Sequence, residues 1–294
     1  MKNKHFKIFI FRPFICKLVF LLTANCLLFT LHIHAQKIAI LTPEKTVQSN
    51  EIREKLTDSF SDEVTVLNFA LSETVLLSKK FENPYNLSLE EARNLGTAIG
   101  CDFFILIKTD GLQRFSLEEK SYFESYAAFY LVSSRTGRLV FWQLKVFKGE
   151  DEKQAGSKLI NSVKEISTEI STGIKTTQKN ELAEQDSKIE QLPDENSAEA
   201  KDLRPPLPYK RIRPEYTKTA YLYGIAATID VIVDVGENGE ILRTEVARWA
   251  GFGLEESAVN TIKTMNWRPA MRDGEFLPMR ILLRYNFKNI KTEQ

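Results

Sequence analysis

Between Phe147 and Tyr209 the chain has no aromatic residue, while both flanking stretches are rich in them. A folded core needs large apolar side chains, because their burial is what offsets the entropy lost on ordering the chain. The second half of this gap, residues 173–208, is also polar and acidic, and it ends in Arg204-Pro205-Pro206-Leu207-Pro208. That composition predicts an acidic flexible linker and no core of its own. Two domains follow, over residues 36–172 and 209–294, each expected to fold independently of the other. The overall class is α+β, with an α/β domain first and a small β-β-α-β domain last.

The first 35 residues hold Lys2, Lys4, Lys7, Arg12 and Lys17 and no acid, and an apolar run covers residues 18–31. This pattern predicts a signal peptide over residues 1–35, cut between Ala35 and Gln36. The run is shorter than the roughly 20 apolar residues of a spanning helix. An uncleaved inner-membrane anchor is the alternative, and either way the body of the protein is exported to the periplasm. Asn25 stands where lipid-attachment sequences have a small residue, which argues against a lipid on Cys26.

Without the leader the chain has no histidine and one cysteine, Cys101, and its charge balance becomes mildly acidic. A histidine triad, a His/Cys zinc site and an internal disulfide framework are thereby excluded. No catalytic residue, metal or other cofactor is expected, and the acidic balance offers no footprint for nucleic acid.

In the first domain, residues 37–41, 64–69 and 103–108 read as buried strands. Ile52, Leu56 and Phe60 form a helical stripe between the first two. Ser88 with Glu91 is a capping box opening a helix through Ala92, Leu95 and Ile99, which Gly100 ends. Residues 122–133 and 138–148 flank a turn at Gly137, and Leu159, Val163, Ile166 and Ile170 mark a closing helix. Gly96 and Gly100 precede a strand, whereas a phosphate cradle has its glycines between a strand and a following helix. They read as a tight packing position and a helix stop. Cys101 reads as a buried small residue. Asp102, Asp110, Glu118, Glu119 and Glu124 are the acids that an enzyme sited in this domain would use, the reading from a competing functional class. Residues 92–108 and 127–142 resemble the α/β domain of exported proteins such as CsgG and the amino-terminal domain of TolB.

In the last domain, residues 225–235 alternate apolar and polar, Gly236 to Gly239 makes a hairpin turn, and residues 240–247 return. Leu254, Ala258, Ile262 and Met265 share one helix face, and residues 279–287 form the final strand. Pro214, Tyr216 and Ala220 match the Pro-x-Tyr-Pro-x-x-Ala opening of the TonB carboxy-terminal domain, with Thr217 replacing the second proline. Gly224, Gly239-Glu240-Ile241, Gly251, Leu254 and Ala258 continue the match, with Glu255 in place of an aspartate. Trp267, Pro269, Ala270, Gly274 and Phe287 complete it. Residues 208–288 thus resemble the TonB carboxy-terminal family.

That resemblance implies a non-enzymatic module that binds envelope proteins, outer-membrane receptor segments among them, by strand addition. The residues it points to are Pro214, Tyr216, Arg280, Leu282, Arg284 and Asn286, with the final strand as the receptive edge. Lys210, Arg211 and Arg213 add a small basic cluster beside the linker. Because the proline-rich spacer of TonB is replaced by a short acidic one, a periplasmic adaptor linked to envelope transport is expected. An energy transducer anchored in the inner membrane is the alternative.

Overall fold

A computed structural model describes residues 35–61, 64–115, 121–183, 189–194 and 196–288. The expected leader lies outside them except for Ala35, and Gln36 is already the first residue of a strand. No helix of the described residues is long and apolar enough to cross a membrane.

The first lobe runs β1 (Gln36–Leu41), α1 (Val47–Ser59), β2 (Val64–Val66), α2 (Phe69–Ser78), α3 (Leu89–Ile99), β3 (Phe103–Arg114), β4 (Tyr122–Ser133), β5 (Leu139–Gly149), α4 (Glu152–Asn161) and α5 (Val163–Ala183). Its sheet has the order β2-β1-β3-β4-β5, parallel through β3 and antiparallel beyond. The strand expected over 64–69 stops at Val66, because Asn68 accepts a hydrogen bond from the Leu71 N–H and caps a helix instead. That helix, α2, carries its apolar residues in two crowded runs and no clean stripe, so periodicity does not reveal it. The expected helix over Leu159 to Ile170 is two helices that meet at Ser162. The Ser88–Glu91 capping box forms as read, with both reciprocal bonds.

Strand alternation gives this sheet two apolar faces. On one, Ile38, Ile40, Phe103, Ile105, Ile107, Phe129 and Leu131 pack under Ile52 and Leu56 of α1 and Val163, Ile166, Ile170 and Ile174 of α5. On the other, Phe104, Leu106, Tyr130 and Val132 pack under Ala92 and Leu95 of α3.

Past α5 come three two-residue strands, β6 (Glu190–Gln191), β7 (Leu203–Arg204) and β8 (Leu207–Pro208). The second lobe then runs α6 (Lys218–Leu222), β9 (Ala227–Val235), β10 (Ile241–Arg248), α7 (Leu254–Thr264), β11 (Trp267–Arg268), β12 (Ala270–Arg272), β13 (Glu275–Leu277) and β14 (Met279–Phe287). Ile229, Val231, Val233 and Val235 line the inner sheet face with Ile281, Tyr285 and Phe287, against Leu254, Ala258, Ile262 and Trp267. The expected β-β-α-β core is therefore present.

The segment between the lobes differs from a free tether. Helix α5 runs on to Ala183, with Ile174 buried and Glu181 accepting a 2.8 Å bond from Arg135. Strands β6, β7 and β8 pair with β14, β12 and β11 respectively. A polar segment cannot build a core, but its backbone can still satisfy the edges of one built elsewhere.

The lobes also share one hydrophobic cluster. Trp249 is fully buried, its ring lies 5.9 Å from that of Tyr130, and its Nε1 donates to the Gly137 carbonyl at 3.1 Å. The Phe252 ring lies 5.1 Å from that of Trp142, and the Tyr223 ring lies 4.5 Å from that of Tyr126. Gly251 takes φ of 75°, and a Cβ there would run into the Trp142 indole. The expectation of independently folding domains gives way to two lobes joined through aromatic side chains.

Candidate interaction edge

Strand β14 pairs along its whole length with β9 on one side. On the other side the one strand it pairs with among the described residues is β6, at Met279 and Arg280. The small sheet therefore has the order β10-β9-β14-β6, four strands where the sequence predicts three. The Leu192 N–H donates to the Arg280 carbonyl at 2.9 Å, and the Arg211 Nη2 donates to the Arg284 carbonyl at 2.9 Å. Backbone groups alternate along a strand, so Arg280, Leu282, Arg284 and Asn286 aim theirs outward while Ile281, Leu283 and Tyr285 aim theirs at β9.

The side chains of the outward-bonding residues stand on the sheet face opposite α7. There Arg280 makes a bidentate pair with Asp234 at 2.6 and 2.8 Å, and Arg284 one with Asp230 at 2.7 and 2.8 Å. Both aspartates are buried, and Arg248 adds a third contact to Asp230 at 3.4 Å. Buried carboxylates need such partners. The two arginines picked out as partner-binding groups are thus held by the sheet itself, and the Asp230 carboxylate raises the pKa of Arg284 further. Leu282, opposite Ile232, is half exposed, and the Asn286 Oδ1 accepts from the Thr228 hydroxyl at 2.9 Å.

Pro214 is buried, and the Tyr216 hydroxyl donates within reach of the Ala220 and Ile225 carbonyls at 3.2 and 2.8 Å. The Tyr216 ring stacks on Phe287 at 6.3 Å. These two residues brace the end of β14. The stretch 211–214 runs beside Arg284–Phe287 and forms with it a shallow groove. Arg211 also sits over the Tyr285 ring at 5.6 Å, so the basic cluster read from the sequence contributes directly to the edge.

Asn86 is a residue the sequence reading missed. Its side-chain amide accepts from the Thr228 N–H at 2.9 Å and donates to the Thr228 carbonyl at 2.8 Å and the Trp249 carbonyl at 2.7 Å. A side chain from the first lobe thus imitates a strand rung on β9. Arg248 donates back to the Asn86 carbonyl at 2.7 Å and pairs with Glu91 at 2.9 Å. Burial pushes the Glu91 carboxyl up, but the Ser88 donors and Arg248 outweigh it and hold it below its ordinary value. Nothing in the local sequence of Asn86, Trp142 or Trp249 marks them as contacts between lobes.

The Glu255 carboxylate accepts from the N–H groups of Ala250 and Gly251 at 2.5 and 2.6 Å, bracing the loop that carries Trp249 and Phe252. Burial pushes its pKa up to about 7 against those two donors.

The acids considered for an enzyme are dispersed. Asp102 accepts from the Lys37 N–H, Asp110 from the Gly111 N–H, and Glu124 from Arg114 and the Tyr223 hydroxyl. Glu118 and Glu119 lie outside the described residues. Among the described residues no His, Cys, Asp and Glu cluster could hold a metal ion. Cys101 is buried beside Gly96 and Ser134, and burial pushes its thiol up to about 11. A Cβ at Gly96 would collide with Ser134, the close packing expected there.

Residues 212–289 match the family model described as the Gram-negative bacterial TonB protein C-terminal. The second lobe is a TonB carboxy-terminal domain. Among solved structures, the carboxy-terminal domain of Pseudomonas aeruginosa TonB is 17% identical, covering 35% of this chain and 97% of its own at a TM-score of 0.27. The hypothetical protein CT253 from Chlamydia trachomatis is 11% identical, covering 46% and 97% at 0.34. Lipoprotein GNA1162 from Neisseria meningitidis is 14% identical, covering 45% and 99% at 0.31. No curated protein matches the chain.

Proposed function

We propose that this protein is an exported adaptor of the bacterial envelope that takes up an extended segment of a partner protein as an added strand along β14. The observation that carries this reading is the outward row of backbone groups from Leu282 to Asn286, in which the Arg284 carbonyl is held by the Arg211 side chain that an incoming strand would replace. Among the described residues no strand pairs with it beyond Arg280. A row of backbone donors and acceptors without a neighbouring strand is a template for an incoming one. The membership of the second lobe in the TonB carboxy-terminal family supports a partner in the envelope, with outer-membrane receptor segments as the class to try first. The protein acts here as a binder and not as an enzyme.

Strand parity supplies the test. Leu282→Pro removes an outward N–H and leaves the β9 ladder intact, whereas Leu283→Pro removes a ladder bond and clashes within the sheet. Leu282→Pro is expected to keep its circular dichroism and lose capture of envelope partners. Leu283→Pro is expected to unfold the second lobe. Full capture by a folded Leu282→Pro variant would end the strand-addition reading.

A further inference from the structure

The edge that receives a strand under that reading is already partly occupied by this chain. Residues Glu190 and Gln191 run parallel to β14 opposite Met279 and Arg280, and the Leu192 N–H bonds the Arg280 carbonyl. Among the described residues the pairing goes no farther, and Pro193, next in the chain, has no N–H to offer. The Glu190 carboxylate meets the Arg272 guanidinium in a bidentate pair at 2.7 and 3.2 Å, and the same guanidinium donates to the Glu199 carbonyl at 3.4 Å. Each pair partner is about a third or more exposed, the regime in which ion pairs hold weakly. A two-residue strand has few ladder bonds to lose.

We propose that Glu190–Leu192 is a self-strap, a stand-in for the partner that guards the start of the edge and is displaced when the partner binds. The proposal rests on strand addition along β14 and deepens it by naming the partner's chemistry. The strap is extended and carries one carboxylate, and its neighbours at the edge include two arginines. Arg272 holds Glu190, and Arg211 lies over Tyr285 farther along. The displacing segment is therefore an extended peptide that runs parallel to β14 and sets one carboxylate against Arg272. A competitor tethered in the same chain raises the apparent Kd in inverse proportion to the fraction of molecules in which the edge is open.

The test uses the full chain and, as probe, a labelled synthetic peptide of residues 189–194. Three proteins are compared: wild type, a released variant carrying Glu190→Lys and Leu192→Pro, and the same variant with Arg272→Glu added. Circular dichroism checks that all three are folded, and Glu190→Gln serves as a milder release if the double variant is not. The released variant is expected to bind the probe at least about tenfold more tightly than wild type. Arg272→Glu should abolish that gain, and in wild type with Glu190→Gln the Leu192 amide should exchange faster. Equal affinity of wild type and released variant, or no binding by either, overturns the strap. The Leu282→Pro capture assay separates the two ideas. If capture is lost there while strap release changes nothing, the edge is receptive but unguarded; if capture is unaffected as well, both readings fall.

Discussion

The two faces of the first lobe's sheet are closed in different ways. On one face the covering helices, α1 and α5, lie within the same lobe and supply Ile52, Leu56, Val163, Ile166 and Ile170 at helical spacing. On the other face the lobe's own helices supply Ala92, Leu95 and Leu76, and the remaining surface around Tyr130 and Trp142 is covered by Trp249 and Phe252 from the second lobe. The difference teaches where independence ends. A face sealed by local helices would survive separation of the lobes; a face sealed by Trp249 would be opened to water by it.

The largest expected effect comes from removing the residue that seals the shared face. Trp249→Ala deletes a fully buried indole and leaves the Gly137 carbonyl without its donor. A loss of about 3–5 kcal/mol is expected. Because both lobes depend on this cluster, wild type should melt in one transition and the variant in two, which calorimetry resolves. A second transition in wild type would show that the faces are equivalent after all.

A smaller effect is expected at Gly251, where an alanine would meet the Trp142 ring and require φ of 75°. The cost should be about 1–3 kcal/mol, read as a shift of the denaturant midpoint. Combining Gly251→Ala with Trp142→Leu should recover the part due to the collision. No recovery would assign the whole cost to the backbone conformation.

The smallest effect concerns Glu255, which holds the sealing loop. Its pKa in the folded protein is raised from 4.5 to about 7, so the folded state favours the protonated form. Its contribution to stability is full below the ordinary value and is lost as pH rises through about 7. Wild type should therefore lose more stability between about pH 5 and about pH 8 than Glu255→Gln, which stays neutral throughout. Parallel pH profiles of the two proteins would remove Glu255 as the source of that dependence.

What was legible in the sequence is what short-range chemistry controls. Ser88 and Glu91 cap α3 because both bonds close within one turn. The alternation that ends at Val235, the stripe from Leu254 to Ile262 and the final strand Met279–Phe287 appear close to the expected positions, because period and burial are written residue by residue. The family match over residues 212–289 rests on the same local marks. Helix α2 was not legible, since its apolar residues are crowded into two runs and leave no single stripe.

The candidate edge was half legible. Its strand was readable, but Arg280 and Arg284 looked like free recognition groups because their partners, Asp234 and Asp230, lie 46 and 54 residues away along the chain. The composition of the polar stretch after Ala183 announced that it has no core of its own. It could not announce that the backbone there would pair with β14, β12 and β11, since backbone donors are the same in every sequence. The sequence by itself determined the capped helix α3, the principal strands and the family of the last lobe. Only the tertiary structure decided that Trp249 and Asn86 join the lobes and that Glu190 lies against Arg272, because such contacts depend on how distant surfaces meet and leave no periodic trace in the chain.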